Sequence, residues 1–544
     1  MPLPLAVRLA ALPRALVVAI AAPPPVLQAL RLLLVFVLLD YEHLRFYACA
    51  AGSSRRLPAQ PGQHAAAVRP LRILIAADPQ LIDSHTYPHL SAPLRRIARW
   101  ASDTYARRAW MGASWRKDAV IWAGDLTDGG RRTMSDSEWT ALVHRFRSLF
   151  SPSPPAAYLP GNHDLGIGAS SLIPVDPRAD ARWLDSFGLA KNQRGGVWAP
   201  AEGSRRGGHR PRPEIDTSVG SGDRSTNAVL PIRLGGQASP SHEIVLLDAL
   251  ALVSLERSGR TDPAQMTPRE RDVWTLVQSF APAADTQRLL LLHVPLHRPA
   301  DTSCDLRGAT HSVVRESPRL MTAGGDRANT YQNELSEATS RWVLEKVQPD
   351  AVFSGDDHDH CEVLHSVSGR NSSVRLANLP WLAPAQVPEL TLKAFSMTEG
   401  VRRPGYARLD LLPATTSERA SAFYTPCLLP DQVRTWTHDY PFLLLATLAA
   451  VALLRFSGLR NFARRRRAPP LPRSLRSDAA HTQDGWELVD LESAEAEEST
   501  ADKVRRIRFG GRSAAADTTL PTFAHDALSV LWPVLLWWLL LQQA

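Results

Sequence analysis

Short apolar runs recur through the middle of the chain, and each stops abruptly at a polar residue. Residues 72–77 (Arg-Ile-Leu-Ile-Ala-Ala) stop at Asp78, 119–123 (Ala-Val-Ile-Trp-Ala) stop at Gly124-Asp125, and 156–159 lead into Gly161-Asn162-His163. Further on, 289–292 stop at His293 and 350–353 lead to Ser354-Gly355-Asp356. Uniformly apolar runs of this length, bounded by turn residues, read as buried strands. Between them, apolar positions recur at helical spacing over about 94–111, 136–150, 268–280 and 334–347. Strands alternating with helices predict an α/β domain whose ligands gather just beyond the carboxyl ends of the strands. Asp248 ends one more apolar strand and by this pattern could mimic a ligand, although a structural role is the expectation for it.

Longer apolar segments lie outside this region. Residues 440–459 are nearly all apolar, and their one charge, Arg455, sits close enough to the end to snorkel, so the segment can cross a hydrocarbon layer of about 30 Å. The basic run that follows, Arg464-Arg465-Arg466-Arg467, belongs in the cytosol by the positive-inside rule, which makes the preceding domain lumenal or extracellular. Near the N-terminus, 32–39 is apolar but short, and a spanning length takes in Arg31 or Asp40, Glu42 and Arg45. A signal-anchor over 26–50, behind a cytosolic segment 1–25, is the expectation, because the core of a cleaved signal seldom lies so far from the start. An interfacial or cleaved helix is the alternative. Residues 526–542 hold Trp532, Trp537 and Trp538 around Pro533 and are short for a span; crossing with local thinning and lying in the interface both stay open.

The remaining stretches read as connections. Linkers are expected at 51–69 and 413–439, a Gly-, Arg- and Pro-rich disordered insertion at 193–222, and a disordered cytosolic loop at 460–525 with an acidic run from Glu492 to Glu498. That leaves 70–412 as one large domain, although 544 residues would suffice for several. The net charge of +8 suits an anionic partner, but many arginines sit at 205–212 and 464–467, outside the candidate core, so nucleic acid is not expected to bind. Cys49, Cys304, Cys361 and Cys427 are too few for a disulfide-built fold. Cys304 and Cys361 lie near the polar stops, and either a bridge or two free thiols remains open. The sequon Asn371-Ser372-Ser373 agrees with lumenal exposure.

The polar stops carry the chemistry. Asp78-Pro79-Gln80, Gly124-Asp125-Leu126-Thr127-Asp128, Gly161-Asn162-His163-Asp164, His293 and Gly355-Asp356-Asp357-His358-Asp359-His360 gather carboxylates, amides and imidazoles. Those are the donors of a two-metal site that cleaves phosphate esters. The segments resemble the calcineurin-like metallophosphoesterase superfamily, whose pattern is Asp-x-His, Gly-Asp-x-x-Asp, Gly-Asn-His-Asp or Glu, a lone His, and Gly-His-x-His. Within it, the Asp-Pro-Gln and Ser-Gly-Asp-Asp-His-Asp-x-Cys-Glu versions are similar to a eukaryotic branch of membrane phosphodiesterases. That branch removes ethanolamine phosphate from mannoses of glycosylphosphatidylinositol (GPI) anchors in the endoplasmic reticulum. The likeness covers about 70–411.

The resemblance implies a four-layer α/β/β/α sandwich of two mixed sheets. It makes Asp125 the carboxylate shared by two divalent metals, with Asp78, Gln80 and His358 completing one ligand set and Asn162, His293 and Asp356 the other. His163, which has no place in either set, is expected to donate a hydrogen bond or proton toward the phosphate or leaving oxygen, with Asp164 fixing its tautomer. Two positions depart from the pattern: Gln80 stands where His is usual, and Asp356 stands at the first His of the last motif. Keeping Gly355 and Cys361-Glu362 in register puts His358 on the second His; sliding by two would pair His358 with His360. Oxygen donors in place of two imidazoles suit manganese or magnesium better than zinc, and manganese is the expectation. His85 and His89 read as loop or substrate-contact residues, His297 as a surface residue, and Arg131 and Arg132 as either phosphate contacts or an exposed helix start.

The residues themselves establish metal-assisted phosphoester hydrolysis; the resemblance supplies the substrate. It implies a multi-pass protein of the endoplasmic reticulum membrane, or of the Golgi. Its substrate is a GPI glycolipid or GPI-anchored protein, whose export it supports, and cargo receptors are candidate partners. Two other readings stay open: a different metallophosphoesterase, such as a nuclease or phosphomonoesterase, and a non-catalytic trafficking adaptor for GPI-anchored proteins. The intact Asn162-His163-Asp164 argues against the adaptor, since a pure binder needs no proton donor.

Overall fold

The computed structural model describes residues 25–52, 70–115, 117–129, 134–165, 176–190, 224–232, 234, 240–281, 286–299, 321–322, 330–368, 385–412, 420–467 and 520–541. The expected insertion 193–222, Cys304, Arg131, Arg132, the sequon and most of the expected cytosolic loop lie outside these residues. The chain divides into two compact units, Tyr41–Arg434 and a second made of the flanking segments.

The strands of the large unit are β1 (Leu71–Ala76), β2 (Ala119–Ala123), β3 (Ala156–Leu159), β4 (Leu189–Ala190), β5 (Arg224–Ser225), β6 (Ala228–Ile232), β7 (His242–Leu246), β8 (Gln287–Leu291), β9 (Met321–Thr322), β10 (Thr330–Tyr331), β11 (Ala351–Ser354), β12 (Cys361–Ser366), β13 (Gln386–Thr391), β14 (Gly405–Leu412) and β15 (Ser421–Leu428). They form a five-stranded sheet in the order β15-β14-β1-β2-β3 and a six-stranded sheet in the order β12-β13-β11-β8-β7-β6, with β4/β5 and β9/β10 as small ribbons. Both large sheets are mixed: β1, β2 and β3 run parallel with β14 antiparallel, and β7, β8, β11 and β13 run parallel with β6 and β12 antiparallel.

Alternation along the strands builds four layers, because successive side chains leave a strand on opposite faces. Ile73, Ile75, Ile121 and Leu159 from one sheet meet Ile244, Leu246, Leu289, Leu291 and Phe353 from the other in one fully buried cluster. Leu74, Val120 and Trp122, and on the second sheet Val245, Leu290 and Val352, point outward into the helices. There Trp122 stacks on Trp110 of the helix Ala92–Ser114 at 5.6 Å and meets Phe146 of the helix Asp136–Leu149 at 5.3 Å. Each such large side chain contributes about 1.5–3 kcal/mol by burial. The four-layer α/β/β/α sandwich is therefore the fold of this unit.

The helices start where their sequences signal it. Ser135 with Glu138, and Thr267 with Glu270, close reciprocal capping boxes at the starts of Asp136–Leu149 and Pro268–Gln278.

Both edges of the expected domain move. Residues 413–439 were expected as linker, yet β15 lies inside that range and pairs along its whole length with β14. At the other edge the helix expected over 26–50 stops at Glu42 and gives way to a 3₁₀ turn, Leu44–Tyr47, and a short helix, Ala48–Gly52. The cause is Glu42, whose carboxylate is fully buried against Arg108 and accepts from Gln432 at 3.3 Å. A disulfide joins Cys49 to Cys427, a pairing the sequence did not suggest. Cys361 is disulfide-bonded as well, so it is not a free thiol.

In the small unit, Leu27, Leu34 and Leu38 of the helix Pro25–Glu42 pack with Val451 of the helix Tyr440–Arg467 and with Val530 and Val534 of the helix Leu520–Leu541. Arg455 pairs with Asp526, and Arg31 donates to the carbonyl of Ser529. Among the described residues one helical stretch, Gln432–Phe456, is long and apolar enough to cross a membrane; Asp526–Leu539 is apolar but shorter.

Candidate metal centre

The site forms where the parallel strands of both sheets end. Asp78 follows β1, Asp125 follows β2, Asn162 and His163 follow β3, His293 follows β8 and Asp356 follows β11. Backbone hydrogen bonds tie these ends together: Asp78 N–H donates to Gly124 O (3.1 Å), Gln80 N–H to Asp125 O (2.9 Å), Gly355 N–H to His293 O (2.9 Å) and Phe395 N–H to Ala77 O (2.9 Å). Asp78, Gln80, Asp125, Asp356 and His358 all adopt left-handed backbone conformations, with φ of 53, 33, 50, 64 and 61°. Such values cost about 1–3 kcal/mol each for non-glycine residues and persist where the surroundings over-determine them, typically at functional sites. Here they turn five polar side chains toward one point. Gly161 has a different reason to be glycine, since a Cβ there would run into the Asp125 carboxylate.

Two groups of ligand-type side chains share Asp125. Asp78, Asp125 and His358 bring ligand atoms within 4.8 Å of one another, and so do Asp125, His293 and Asp356. The Gln80 amide joins the first group, 3.1 Å from Asp125 Oδ2 and 3.0 Å from His358 Nε2. Asn162 joins the second, with Oδ1 3.3 Å from His293 Nε2. All seven residues read from the sequence as ligands therefore converge. His360 does not: its Nδ1 lies 3.0 Å from Thr391 O and its Nε2 3.0 Å from Glu362, so the register that keeps Gly355 in place is the one whose histidine enters the cluster.

The arrangement fits cations. Asp78 Oδ2 and Gln80 Oε1 are buried without a hydrogen-bond partner, and Asn162 Oδ1 faces only acceptors, in Asp125, Asp356 and His293. The Asn162 contacts are met by turning the amide so that its nitrogen donates, but the two orphaned oxygens of Asp78 and Gln80 call for positive charge, which a cation beside them would supply. Burial drives the Asp78 carboxyl well above its usual range, with His293 opposing and Asp125 and Asp356 reinforcing. Asp125 is buried too, but His163 and His293 outweigh that and hold it well below the carboxylate range. Burial pushes His358 down to about 4, leaving its imidazole neutral and able to ligate.

His163 sits beside the cluster, its backbone N–H donating to Asp125 Oδ1 at 2.8 Å and its Nε2 3.8 Å from Asp125 Oδ2. The expectation that Asp164 fixes its tautomer is corrected here. Asp164 accepts from the backbone N–H groups of Gly161 (3.0 Å), Leu126 (3.1 Å) and Thr127 (2.9 Å), so it staples the second and third segments together. Burial and the neighbouring Asp125 push its pKa up to about 6. The residue facing His163 Nδ1 is Asp128, at 2.9 Å.

Asp128 was visible as the last residue of Gly-Asp-Leu-Thr-Asp, but no spacing rule paired it with a histidine 35 positions away. Glu399, whose Oε2 lies 3.7 Å from His358 Nδ1, gave no signal, because it follows no apolar run. Among the other candidates, His297 lies near Glu334 (3.9 Å) and His85 near Glu138 (3.9 Å), neither in a ligand group, and His89 packs edge-on to Tyr87. Asp248 caps the helix Ala249–Ser258, the structural role read for it.

Residues 71–360, more than half of the chain, match the family model described as calcineurin-like phosphoesterase. Cell division control protein 1 of Saccharomyces cerevisiae is 27% identical over 402 residues, covering 71% of this chain and 66% of that protein. Metallophosphoesterase 1 of Xenopus laevis is 23% identical over 316 residues, covering 57% and 66%. The chain thus spans just under two thirds of the length of these relatives. Among solved structures, a dimetal phosphatase from Danio rerio aligns with 66% of this chain and 99% of its own at 14% identity and a TM-score of 0.30. A putative 5'-nucleotidase from Staphylococcus aureus aligns with 66% and 54% at 11% identity and a TM-score of 0.30.

Proposed function

The chain belongs to the calcineurin-like phosphoesterase family, and from that premise we propose that it is a manganese-dependent phosphodiesterase of the endoplasmic reticulum membrane that removes ethanolamine phosphate from a mannose of GPI anchors, supporting export of GPI-anchored proteins. The observation that carries the phosphoesterase chemistry is the pair of ligand groups joined at Asp125. Asp78, Gln80, Asp125 and His358 would hold one divalent cation, and Asp125, Asn162, His293 and Asp356 the other. When bound, the two cations polarise the phosphoryl group and activate water. The donor set of three carboxylates, two amides and two imidazoles is oxygen-rich, which favours manganese over zinc.

The protein's own groups do the rest. Asp128 holds His163 Nδ1, so that Nε2 is the nitrogen turned to the centre, where a protonated imidazole donates to the leaving oxygen. The strained ligand loops keep the donors in place without reorganisation. The helix Gln432–Phe456 supports a membrane anchor. A lumenal catalytic unit is supported by the basic run after the span and by the Cys49–Cys427 disulfide, which needs an oxidising compartment.

The substrate assignment is tested by mass spectrometry of GPI glycans from cells lacking the protein. Ethanolamine phosphate should accumulate on one mannose, and unchanged occupancy on every mannose refutes the assignment.

A further inference from the structure

The helix Ala92–Ser114 presents apolar side chains on both of its faces. Its inner face buries Ala109 and Trp110, the latter stacked on Trp122 of β2, as a surface helix requires. Its outer face should then be polar, yet Leu94, Ile97, Trp100 and Met111 are 51, 58, 45 and 42% exposed. Positions 94, 97 and 100 follow the spacing that keeps side chains on one face of a helix. Met111 lies about three turns further along the same side. The exposed side chains of Arg96 and Arg107 border this stripe. Single apolar residues on a surface need no explanation, but a stripe that carries a tryptophan and is bordered by arginines has the composition of a helix lying in the headgroup layer of a membrane.

The same helix is fastened beside both points where the chain leaves the large unit. The Tyr105 hydroxyl donates to Pro430 O at 3.1 Å, Arg108 pairs with Glu42, and Gly112 lies so close to the Phe46 carbonyl that a Cβ would collide with it. Tyr41 and Arg434 are the ends of that unit, and the apolar stretch long enough to cross a membrane begins at Gln432. Leu44, in the 3₁₀ turn whose Phe46 packs on Tyr105, is 46% exposed as well. The other end of the helix is bonded toward the metal centre. Arg95 donates to Ser84 O at 3.3 Å, and in the same loop Thr86 Oγ1 donates at 2.5 Å to Asp128, the partner of His163.

We propose that the outer face of the helix Ala92–Ser114 is a lipid contact, with Leu94, Ile97, Trp100 and Met111 lying in the interfacial layer of the membrane that the chain enters at Gln432. This rests on the membrane-anchor part of the function proposed above and not on its substrate. Tryptophan suits that layer because its ring is apolar and its N–H polar, and the arginines meet lipid phosphates. A second copy of the chain fits the face less well, because a two-fold contact would set Arg96 and Arg107 against their own counterparts. With the helix seated among headgroups and its first turn bonded to the loop beside Asp128, the metal centre is held close to phosphodiesters carried on lipids.

The test places a photoreactive benzoylphenylalanine at Ile97 or Trp100 in the full-length, metal-loaded protein, held in nanodiscs of phosphatidylcholine and phosphatidylinositol. The reference position is Arg341, exposed on the helix Glu337–Val347 in the outer layer on the other sheet. Bound metal at the wild-type level shows that each variant is folded, and Leu94 takes the place of any position where the probe costs metal. Irradiation should give lipid adducts, read by mass spectrometry, at 97 and 100 in several times the yield at 341. Lipid yields at 97 and 100 no higher than at 341 overturn the proposal. Adducts confined to peptides overturn it too, in favour of a second copy or another segment of this chain. Release of the wild-type chain from membranes by alkaline carbonate refutes the anchor reading instead. Flotation of the released chain with vesicles of the same lipids then still decides on the face, because flotation must occur and must be lost when Ile97→Ser and Trp100→Ser are combined.

Discussion

Replacing Asp128 and Asp164 separately by asparagine distinguishes a residue that orients His163, the proposed proton donor, from one that holds the site together. Asp128 Oδ1 lies 2.9 Å from His163 Nδ1, so Asp128→Asn removes the charge that stabilises the imidazolium while keeping the shape. A hydrogen bond involving an ionised group contributes about 1.5–3 kcal/mol, so kcat should fall roughly 10- to 150-fold. Neither ligand group includes Asp128, and metal content should stay at the wild-type level. Asp164→Asn acts elsewhere. One of its oxygens accepts from Gly161 and Leu126 N–H groups and the other from Thr127 N–H and Oγ1. An amide nitrogen in either place strands two buried donors, at about 1–3 kcal/mol each, or about 2–6 kcal/mol of stability. Turnover of a p-nitrophenyl phosphodiester, metal analysis and urea unfolding of both variants read the three quantities. If Asp128→Asn keeps wild-type kcat while Asp164→Asn loses activity at wild-type stability, the tautomer belongs to Asp164 and the assignment made here is wrong.

Three further outcomes are expected. Gly161→Ala forces a Cβ into Asp125 and should strip bound metal and cut activity by about a hundredfold or more, given what small misplacements cost; full metal occupancy would contradict the crowding argument. Replacing both Gln80 and Asp356 by histidine softens the donors and should raise the zinc-to-manganese ratio bound from an equimolar mixture, read by elemental analysis. His242 is buried and its pKa is pushed down to about 4, chiefly by burial. It is neutral in the fold but charged in the unfolded chain below about 6.5, so its contribution is complete above that pH. As pH falls from 6.5 to 4 it should fade by up to about 3 kcal/mol, and His242→Gln should flatten that slope in urea titrations.

What could be read in advance was local. Strands that end in a ligand announce themselves because burial makes them apolar and the site makes the next residue polar, and β2 and β3 matched to the residue. The helices at 136 and 268 were legible from apolar positions at helical spacing, and in the structure a hydroxyl three positions before a glutamate caps each start. β15 was not, since Pro426 breaks its pattern and such a residue is tolerated only because the strand lies at the sheet edge. The end of the first helix was hidden for another reason. Glu42 reads as a charge at the margin of an apolar segment, and nothing local shows that Arg108 and Gln432 receive it. In the site, the ligands carried motif spacing, but Asp128 and Glu399 are defined by what they face, which only folding brings near.

The bridge between Cys49 and Cys427 gives the catalytic unit the topology of a closed ring, with 378 residues of separation bound off by one covalent tie. Its entrance and exit are held 5.6 Å apart between cysteine Cα atoms, with Glu42 and Gln432 joined just outside the tie. A protease that nicks any surface segment of the ring releases nothing, since both pieces remain fastened to each other and to the flanking helices. The same adjacency makes the unit a natural cassette: new termini could be opened in a surface loop and the old ones sealed by a short linker without moving the metal centre.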